Sequence, residues 1–216
     1  MKYEAFIFDL DGTLVDNMMV HHRIWQQFLE NLGISMTIDE VLQTIHGVNV
    51  EIIERLFPNQ YTFAEKNELG NQKEALYREQ FKDEVELIPG ARDFLQTLHD
   101  SGVATGIGTA APKENMDFVI DSLQLHDYFQ AFVHSGMVSK GKPDPEVFLQ
   151  VADQLGVTLQ NCIVFEDSPT GAAAGSNGGA DVVVITTTHT PNEFQGIDKV
   201  IGFINDYTDV DRFFEG

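Results

Sequence analysis

The sequence is poor in cysteine and lacks long hydrophobic runs. Its one cysteine, Cys162, excludes an intrachain disulfide, and its apolar neighbours Ile163 and Val164 favour a packed thiol over a reactive one. No apolar run in the sequence approaches the length needed to span a bilayer. The first residues lack the basic region and the cleavage site typical of a signal peptide, so we expect a cytoplasmic location.

Positive charge is also scarce, because 13 lysine and arginine residues face 34 aspartate and glutamate residues, for a formal net charge of -21. A field of this sign repels nucleic acid and anionic membranes, so we expect neither as a partner. It also repels a small phosphorylated substrate, and phosphate chemistry would therefore need a local cation and a local lysine. For the oligomeric state we expect a monomer or a weak dimer.

Short apolar, β-branched runs alternate with segments of helical length along most of the chain. The runs cover residues 5–8, 103–107, 131–134, 163–165 and 182–186. Continuous apolar strands with helical crossovers predict an α/β fold with a doubly wound parallel sheet and helices on both faces. Residues 1–15 and 87–216 would form this core domain.

Residues 16–86 interrupt the alternation, since they contain amphipathic segments and no convincing strand. This pattern predicts an inserted helical domain. Its first helix should begin after Asp16-Asn17, which are both good caps, and should end before Gly33. Further helices are predicted over residues 38–44, 49–57 and 63–82, with Pro58 between the last two.

Two carboxylates, Asp9 and Asp11, follow the first predicted strand, and Gly12 allows a sharp turn just beyond them. Ligand sites form at the carboxyl ends of strands in open α/β sheets, and the alternation of an extended chain would point both side chains to one side. Carboxylates this close need a cation or a proton between them. The alternative is an ordinary turn, since Asp and Gly are common after strands.

A second acidic pair, Glu166-Asp167, follows the fourth predicted strand. Taken alone, it is also explained as a helix cap, with Asp167 or Ser168 capping the segment that follows. Two acidic strand ends favour a metal site, because magnesium prefers oxygen ligands and binds one or two carboxylates together with water and substrate phosphate. Asp9, Asp167 and Glu166 are the candidate ligands of Mg2+.

Two further segments carry groups that suit phosphate. Thr109 ends the second predicted strand just before a helical run, where a hydroxyl and backbone N–H groups form a phosphate cradle, although a threonine here is also explained as an ordinary helix cap. Lys142 precedes a helix that begins with proline, and a lysine there can neutralise charge on a transferring phosphoryl group. The alternative, a solvated loop lysine, is the expectation for Lys140.

In this order the four segments resemble the four motifs of the haloacid dehalogenase superfamily. The chain reads DLDGT from Asp9, ends its second strand at Thr109, reads GKPDP around Lys142 and reads FEDSPTG around Glu166 and Asp167. The resemblance covers nearly the whole chain. The helical insertion resembles the cap of the branch that contains beta-phosphoglucomutase and small sugar-phosphate phosphatases.

The resemblance implies a magnesium-dependent phosphatase that acts on a small phosphorylated metabolite, with a sugar phosphate as the expected substrate class. Asp9 would form an aspartyl-phosphate. Asp11 would protonate the leaving oxygen and later activate water, and its backbone carbonyl would reach the metal. Thr109 and the N–H group of Ala110 would hold the phosphoryl oxygens, while Lys142 would offset their charge.

Substrate specificity is expected to reside in the insertion. His21 stands at a position where beta-phosphoglucomutases also carry histidine. Lys73 shares a line with Leu69 and Tyr77 at four-residue spacing, which predicts a partly inward position and leaves functional and structural roles equally open. Residues 46–50 resemble the specificity loop of the cap, in which Gly47 gives backbone freedom.

The alternatives to a phosphatase are a beta-phosphoglucomutase and a receiver-like signalling module. His21 and Lys73 favour the mutase, but mutases of this branch carry Ser-Arg where this chain has Asn49-Val50, and that arginine grips a second phosphate. Receivers also combine clustered acids with a threonine and a lysine, but they place the phosphate acceptor on the third strand and lack a large helical insertion. We expect His21, Gly47, Asn49 and Lys73 to contact the substrate of a phosphatase.

Overall fold

A computed structural model describes residues 2–213. One parallel sheet holds six strands, which are β1 (Ala5–Phe8), β2 (Ala104–Gly108), β3 (Ala131–Val133), β4 (Cys162–Glu166), β5 (Asp181–Ile185) and β6 (Val200–Ile204). Their order across the sheet is β3-β2-β1-β4-β5-β6. The predicted doubly wound α/β fold is confirmed, and β6 is an edge strand that we did not predict.

Residues 2–213 also contain eight α-helices, which are α1 (Met18–Asn31), α2 (Ile38–Thr44), α3 (Asn49–Leu56), α4 (Phe63–Phe81), α5 (Ala91–Ser101), α6 (Lys113–Leu123), α7 (Glu146–Leu155) and α8 (Pro169–Asn177). Short 3-10 turns occupy His126–Tyr128, Ser135–Met137, Leu159–Asn161, Pro191–Phe194 and Tyr207–Phe213. Within this described part of the chain, every helix is too short or too polar to cross a bilayer.

The chain divides into two compact units. The first unit consists of Met1–Asp16 and Val85–Gly216 and contains the sheet and α5 to α8. The second unit, Asn17–Glu84, consists of α1 to α4 and is called the helical insertion below.

The sheet is buried on both faces, as its continuous apolar strands indicate. The four residues of β1 are all fully buried and alternate between two apolar clusters. Phe6 and Phe8 belong to the cluster that contains Phe94, while Ala5 and Ile7 belong to the other. Because β1 is one of the two central strands, the residues that follow it lie at the centre of the edge formed by the carboxyl ends of the strands.

The helical insertion has an apolar core of its own. This core contains Trp25, Phe28, Leu29, Val41, Ile45, Ile52, Ile53 and Phe57. Both α2 and α4 begin with a capping box, formed by Thr37 with Glu40 and by Thr62 with Glu65. The cap expected at α1 differs from the structure, because the side chain of Asn17 donates to the Tyr77 hydroxyl at 2.6 Å and makes no capping bond.

Candidate active site

Three carboxylates meet at the carboxyl ends of the two central strands. β1 and β4 are paired with Phe8 opposite Phe165, and the Asp9 N–H group donates to the Phe165 carbonyl at 3.0 Å. This register places Asp9 beside Glu166, the last residue of β4. Asp9, Glu166 and Asp167 are all buried, and each offers an oxygen atom within 4.8 Å of the other two.

Lys142 reaches the same carboxylates from the loop before α7. Its Nζ donates to Asp9 Oδ1 at 2.6 Å and to Glu166 Oε1 at 2.7 Å, and it lies 4.8 Å from the centre of the Phe148 ring. The Lys140 side chain is 72% exposed and pairs with Asp144 at 3.5 Å. Lys140 is thus the solvated loop lysine that we expected, whereas Lys142 is part of the site.

Both carboxylate oxygens of Glu166 are bonded to protein groups. Oε1 accepts the bond from Lys142, and Oε2 accepts bonds from the N–H groups of Asp167 at 2.9 Å and Ser168 at 2.8 Å and from the Ser168 hydroxyl at 2.9 Å. A Cβ atom on Gly171 would overlap this carboxylate. Glu166 therefore holds Lys142 and the start of α8 in place, and these bonds compete with any role as a metal ligand.

Asp167 accepts hydrogen bonds from two hydroxyl groups whose roles we did not predict. Thr13 donates to Oδ1 at 3.4 Å, and Thr188, just after β5, donates to Oδ2 at 2.5 Å. Gly12 packs against the same carboxylate with φ of 78°, and a Cβ atom there would overlap Asp167. The helix-cap alternative for this segment applies to Ser168, which caps α8, and not to Asp167.

The electrostatics of the cluster favour a bound cation. Burial and the charges of Glu166 and Asp11 raise the pKa of Asp9 to about 7, although the charge and the hydrogen bond of Lys142 act to lower it. Burial and the charges of Glu166 and Asp9 also raise the pKa of Asp167 well above its usual range. Carboxylates that resist ionisation in a dry site, and that offer only oxygen ligands, fit Mg2+.

Asp11 and Thr109 follow the neighbouring strands β1 and β2. Asp11 is half-buried two residues after Asp9, and among the described residues its carboxylate is not one of the three clustered ones. Thr109 is buried at the end of β2, where its Oγ1 accepts from the N–H group of Ala111 at 3.0 Å, and Ala110 next to it is exposed. The cap position of α6 is Pro112, so the helix-cap interpretation of Thr109 is wrong.

His21, Asn49 and Lys73 meet in a polar cluster of the helical insertion, centred on Glu74. Lys73 Nζ lies 2.9 Å from His21 Nδ1 and donates to Glu74 Oε1 at 3.0 Å, while Asn49 Nδ2 donates to the same oxygen at 2.7 Å. The His21 ring stacks on Tyr77 with centroids 3.9 Å apart. Lys73 is only 2% exposed, so it points fully inward and not partly, as we had predicted.

Gly47 lies outside this cluster, in the exposed turn between α2 and α3, where its φ of 96° uses the backbone freedom that we predicted. Glu74 is the member of the cluster that we missed. Burial opposes its ionisation, but the Lys73 ammonium, together with His21 and the hydrogen bonds from Asn49 and Lys73, outweighs burial and holds the pKa of Glu74 below its usual value. The Lys73 charge is therefore compensated within the insertion.

A parallel α/β sheet with buried carboxylates and a lysine at its central strand ends defines an enzyme site of the kind expected for this fold. The chain belongs to the haloacid dehalogenase-like hydrolases, whose family model matches residues 3–179. The resemblance stated from the four motifs is confirmed, including the branch with beta-phosphoglucomutase and sugar phosphatases.

Three similar proteins illustrate the range of this branch. Hexitol phosphatase A of Escherichia coli is 29% identical over 96% of this chain and 94% of its own length. Beta-phosphoglucomutase of Bacillus subtilis is 30% identical over 82% of this chain and 80% of its own. A HAD hydrolase of family IA, variant 3, from Entamoeba histolytica has a solved structure with a TM-score of 0.87, 26% identity and coverage of 94% of this chain and 93% of its own.

Proposed function

We propose that this chain is a Mg2+-dependent phosphatase that hydrolyses a sugar phosphate or a similar small phosphorylated metabolite. The observation that carries the proposal is the placement of Asp9, a buried acid at a central strand end, against Lys142 at 2.6 Å. Lysine beside the acid offsets the repulsion between a carboxylate and a phosphate ester, which otherwise prevents attack. The phosphatases among the similar proteins support the same reaction.

In the first step, an oxygen of Asp9 attacks phosphorus and the bond from phosphorus to the ester oxygen breaks. Asp11 gives its proton to that oxygen, so the alcohol leaves neutral. Lys142 offsets charge next to Asp9, and Thr109 with the N–H group of Ala110 binds phosphoryl oxygens. The product of this step is a phosphate group bound to Asp9.

In the second step, Asp11, now ionised, takes a proton from a water molecule whose oxygen attacks phosphorus. The bond from phosphorus to Asp9 breaks, which restores the carboxylate and releases inorganic phosphate. Asp9, Asp167 and the backbone carbonyl of Asp11 would hold Mg2+, with Glu166 as the residue that orients Lys142. When bound, the ion supplies positive charge next to the transferred phosphoryl group.

The polar cluster of the helical insertion favours hydrolysis over a mutase reaction. A mutase must bind a second phosphate group, a task for which arginine is best suited. Val50 carries no charge, and Glu74 compensates the charge of Lys73 at 3.0 Å. We infer that His21, Asn49, Lys73 and Glu74 recognise neutral hydroxyl groups of the substrate, to which they offer both donors and acceptors.

Beta-phosphoglucomutase is the second candidate function, because one such enzyme is 30% identical to this chain. A receiver-like module is disfavoured, since Asp9 follows β1 and the helical insertion Asn17–Glu84 follows directly. A cytoplasmic location and a monomer or weak dimer stay predictions from the sequence.

Phosphate release from a panel of sugar phosphates, hexitol phosphates and phosphoglycolate tests the proposal. We expect a chelator to abolish release, Mg2+ to restore it, and Asp167→Ala to respond only weakly to Mg2+. The same protein should convert beta-glucose 1-phosphate to glucose 6-phosphate slowly, with or without a bisphosphate primer. Full activity in excess chelator would contradict the metal site, and primed isomerisation that outpaces phosphate release would make the protein a mutase.

A further inference from the structure

Two neighbouring threonines after β5 donate hydrogen bonds to both halves of the acidic site. Thr187 Oγ1 donates to the Gly12 carbonyl at 2.5 Å, within the turn that carries Asp11. Thr188 Oγ1 lies 2.5 Å from Asp167 Oδ2 and 3.1 Å from the Asp167 carbonyl. Neither threonine belongs to the four motifs, so the loop that follows β5 is a fifth segment that contacts the site.

The direction of these bonds follows from the number of protons. A hydroxyl has one proton to donate, and Asp167 must be ionised to bind a metal ion. An ionised carboxylate can only accept, so in that state the shortest contact of Thr188 is a donation to Asp167. His189 Nδ1 lies 2.9 Å from the same hydroxyl oxygen and must then be the donor to it. His189 therefore donates a hydrogen bond to Thr188, and Thr188 donates one to Asp167. The His189 ring makes an edge contact with the Phe194 ring, with centroids 6.2 Å apart.

Within residues 2–213, the other oxygen of Asp167 is held less tightly, because the Thr13 hydroxyl that donates to it lies at the longer distance of 3.4 Å. A carboxylate that binds a metal ion through one oxygen needs the other held in place, and hydrogen bonds to such ligands commonly set metal affinity. We propose that Thr188, supported by His189, is a positioning residue that holds the Asp167 carboxylate in the orientation that binds Mg2+. The inference rests on the metal site of the proposed function.

The test compares Mg2+ affinity among three variants, measured by titration calorimetry on the protein without substrate. Thr188→Val removes the hydroxyl at nearly constant shape and is expected to raise the Mg2+ dissociation constant about tenfold or more. Thr188→Ser keeps a hydroxyl and is expected to stay close to the wild type. The matched control is Thr186→Val in the same loop, since the Thr186 hydroxyl donates to Asn205 Oδ1 at 2.8 Å and not to Asp167.

Stability separates positioning from a general structural effect. Thermal melts without Mg2+ should show similar losses for Thr188→Val and Thr186→Val, whereas only the first should lose Mg2+ affinity. A folded Thr188→Val protein that binds Mg2+ like the wild type would overturn the inference and leave the metal site intact. A wild type that binds no Mg2+ would overturn the metal site and the inference together. If valine prevents folding, Thr188→Ala is judged by the same dissociation constant.

Discussion

At the level of single residues, Lys142 and Lys73 both have buried side chains but differ in the negative charge that surrounds them. Lys142 lies between two carboxylates, Asp9 and Glu166, while Asp167 lies close by, so negative charge is left over for a metal ion. Lys73 pairs with Glu74 at 3.0 Å, so its charge is compensated within the insertion and attracts a second phosphate less strongly. This difference explains why we assign cation binding to the strand ends and neutral hydroxyl recognition to the insertion.

Glu74→Gln tests this pairing. The substitution leaves the buried Lys73 ammonium without its counter-charge and is expected to lower the free energy of unfolding by about 3 kcal/mol at neutral pH. The pKa of Glu74 is lowered in the folded protein, so its stabilisation is present above its ordinary pKa of 4.5 and is lost as the pH falls through the lower folded value. The difference between variant and wild type in urea unfolding should therefore shrink in acid.

The control for this experiment is Glu79→Gln, because Glu79 is exposed on the same helix, α4. Its effect should be small at every pH. A Glu74→Gln protein as stable as the wild type at neutral pH would show that the Lys73–Glu74 pair contributes nothing, and the charge argument for the insertion would then fail.

The motifs predicted Asp9, Thr109, Lys142, Glu166 and Asp167 because each follows a strand or precedes a helix at a spacing tied to phosphate chemistry. Glu74 and Thr188 were not predicted, for different reasons. Glu74 lies in a polar helix, α4, whose many charged residues are typical of a helix face exposed to solvent. Thr188 is the last of three consecutive threonines, the first of which is the end of the predicted strand 182–186. Only the pairing of β5 with β4 shows that these threonines lie near Asp167.

At the level of elements, the turn after β1 explains the glycine in DLDGT. Gly12 adopts φ of 78° and leaves no space for a Cβ atom next to Asp167. Gly12→Ala is expected to lower the free energy of unfolding by about 1 to 2 kcal/mol through the left-handed backbone conformation alone. The added Cβ atom should also displace the Asp167 carboxylate. Urea unfolding and Mg2+ titration measure the two effects separately.

Gly102→Ala is the matched control, since Gly102 has φ of 70° and a Cβ atom there would meet nothing within 4 Å. This variant should lose only the backbone contribution and keep wild-type Mg2+ affinity. Equal Mg2+ affinity in the two alanine variants would show that Gly12 serves the turn and not the space beside Asp167.

The strands and helices differ in how well their sequences predict them. β1, β4 and β5 are continuous apolar runs because both sheet faces are covered, and α2 has the predicted limits of residues 38–44 because Thr37 caps it. β6 was missed although its residues are apolar, because the strand is short, contains Gly202 and lies half-exposed at the edge of the sheet. Tertiary pairing with β5 supplies the stability that its sequence does not indicate.

At the level of the whole molecule, Cys162 reports on unfolding. It is fully buried on β4, and burial, with a smaller effect of the Glu4 charge, raises its pKa to about 12. Because the thiolate is the reactive form, labelling of the native protein by a thiol reagent should be far slower near neutral pH than labelling in urea. Mg2+ should slow native labelling further, since a ligand that binds only the folded state stabilises it.

Rapid labelling of Cys162 without denaturant would show that β4 opens locally, and the rigid strand ends on which the site depends would then be in doubt. Labelling that Mg2+ leaves unchanged would argue against a metal site in the folded protein.

The most direct test of the whole account is a rapid-quench experiment on Asp11→Asn with p-nitrophenyl phosphate. The nitrophenolate leaving group of this substrate needs no proton, so attack by Asp9 should remain fast. Hydrolysis of the aspartyl-phosphate needs Asp11 as a base and should stall. We predict a burst of about one nitrophenol per protein molecule, followed by slow turnover, with phosphate on the peptide that contains Asp9. Asp9→Asn should show no burst, and a burst with phosphate on another residue, or turnover that survives Asp9→Asn, would contradict the account.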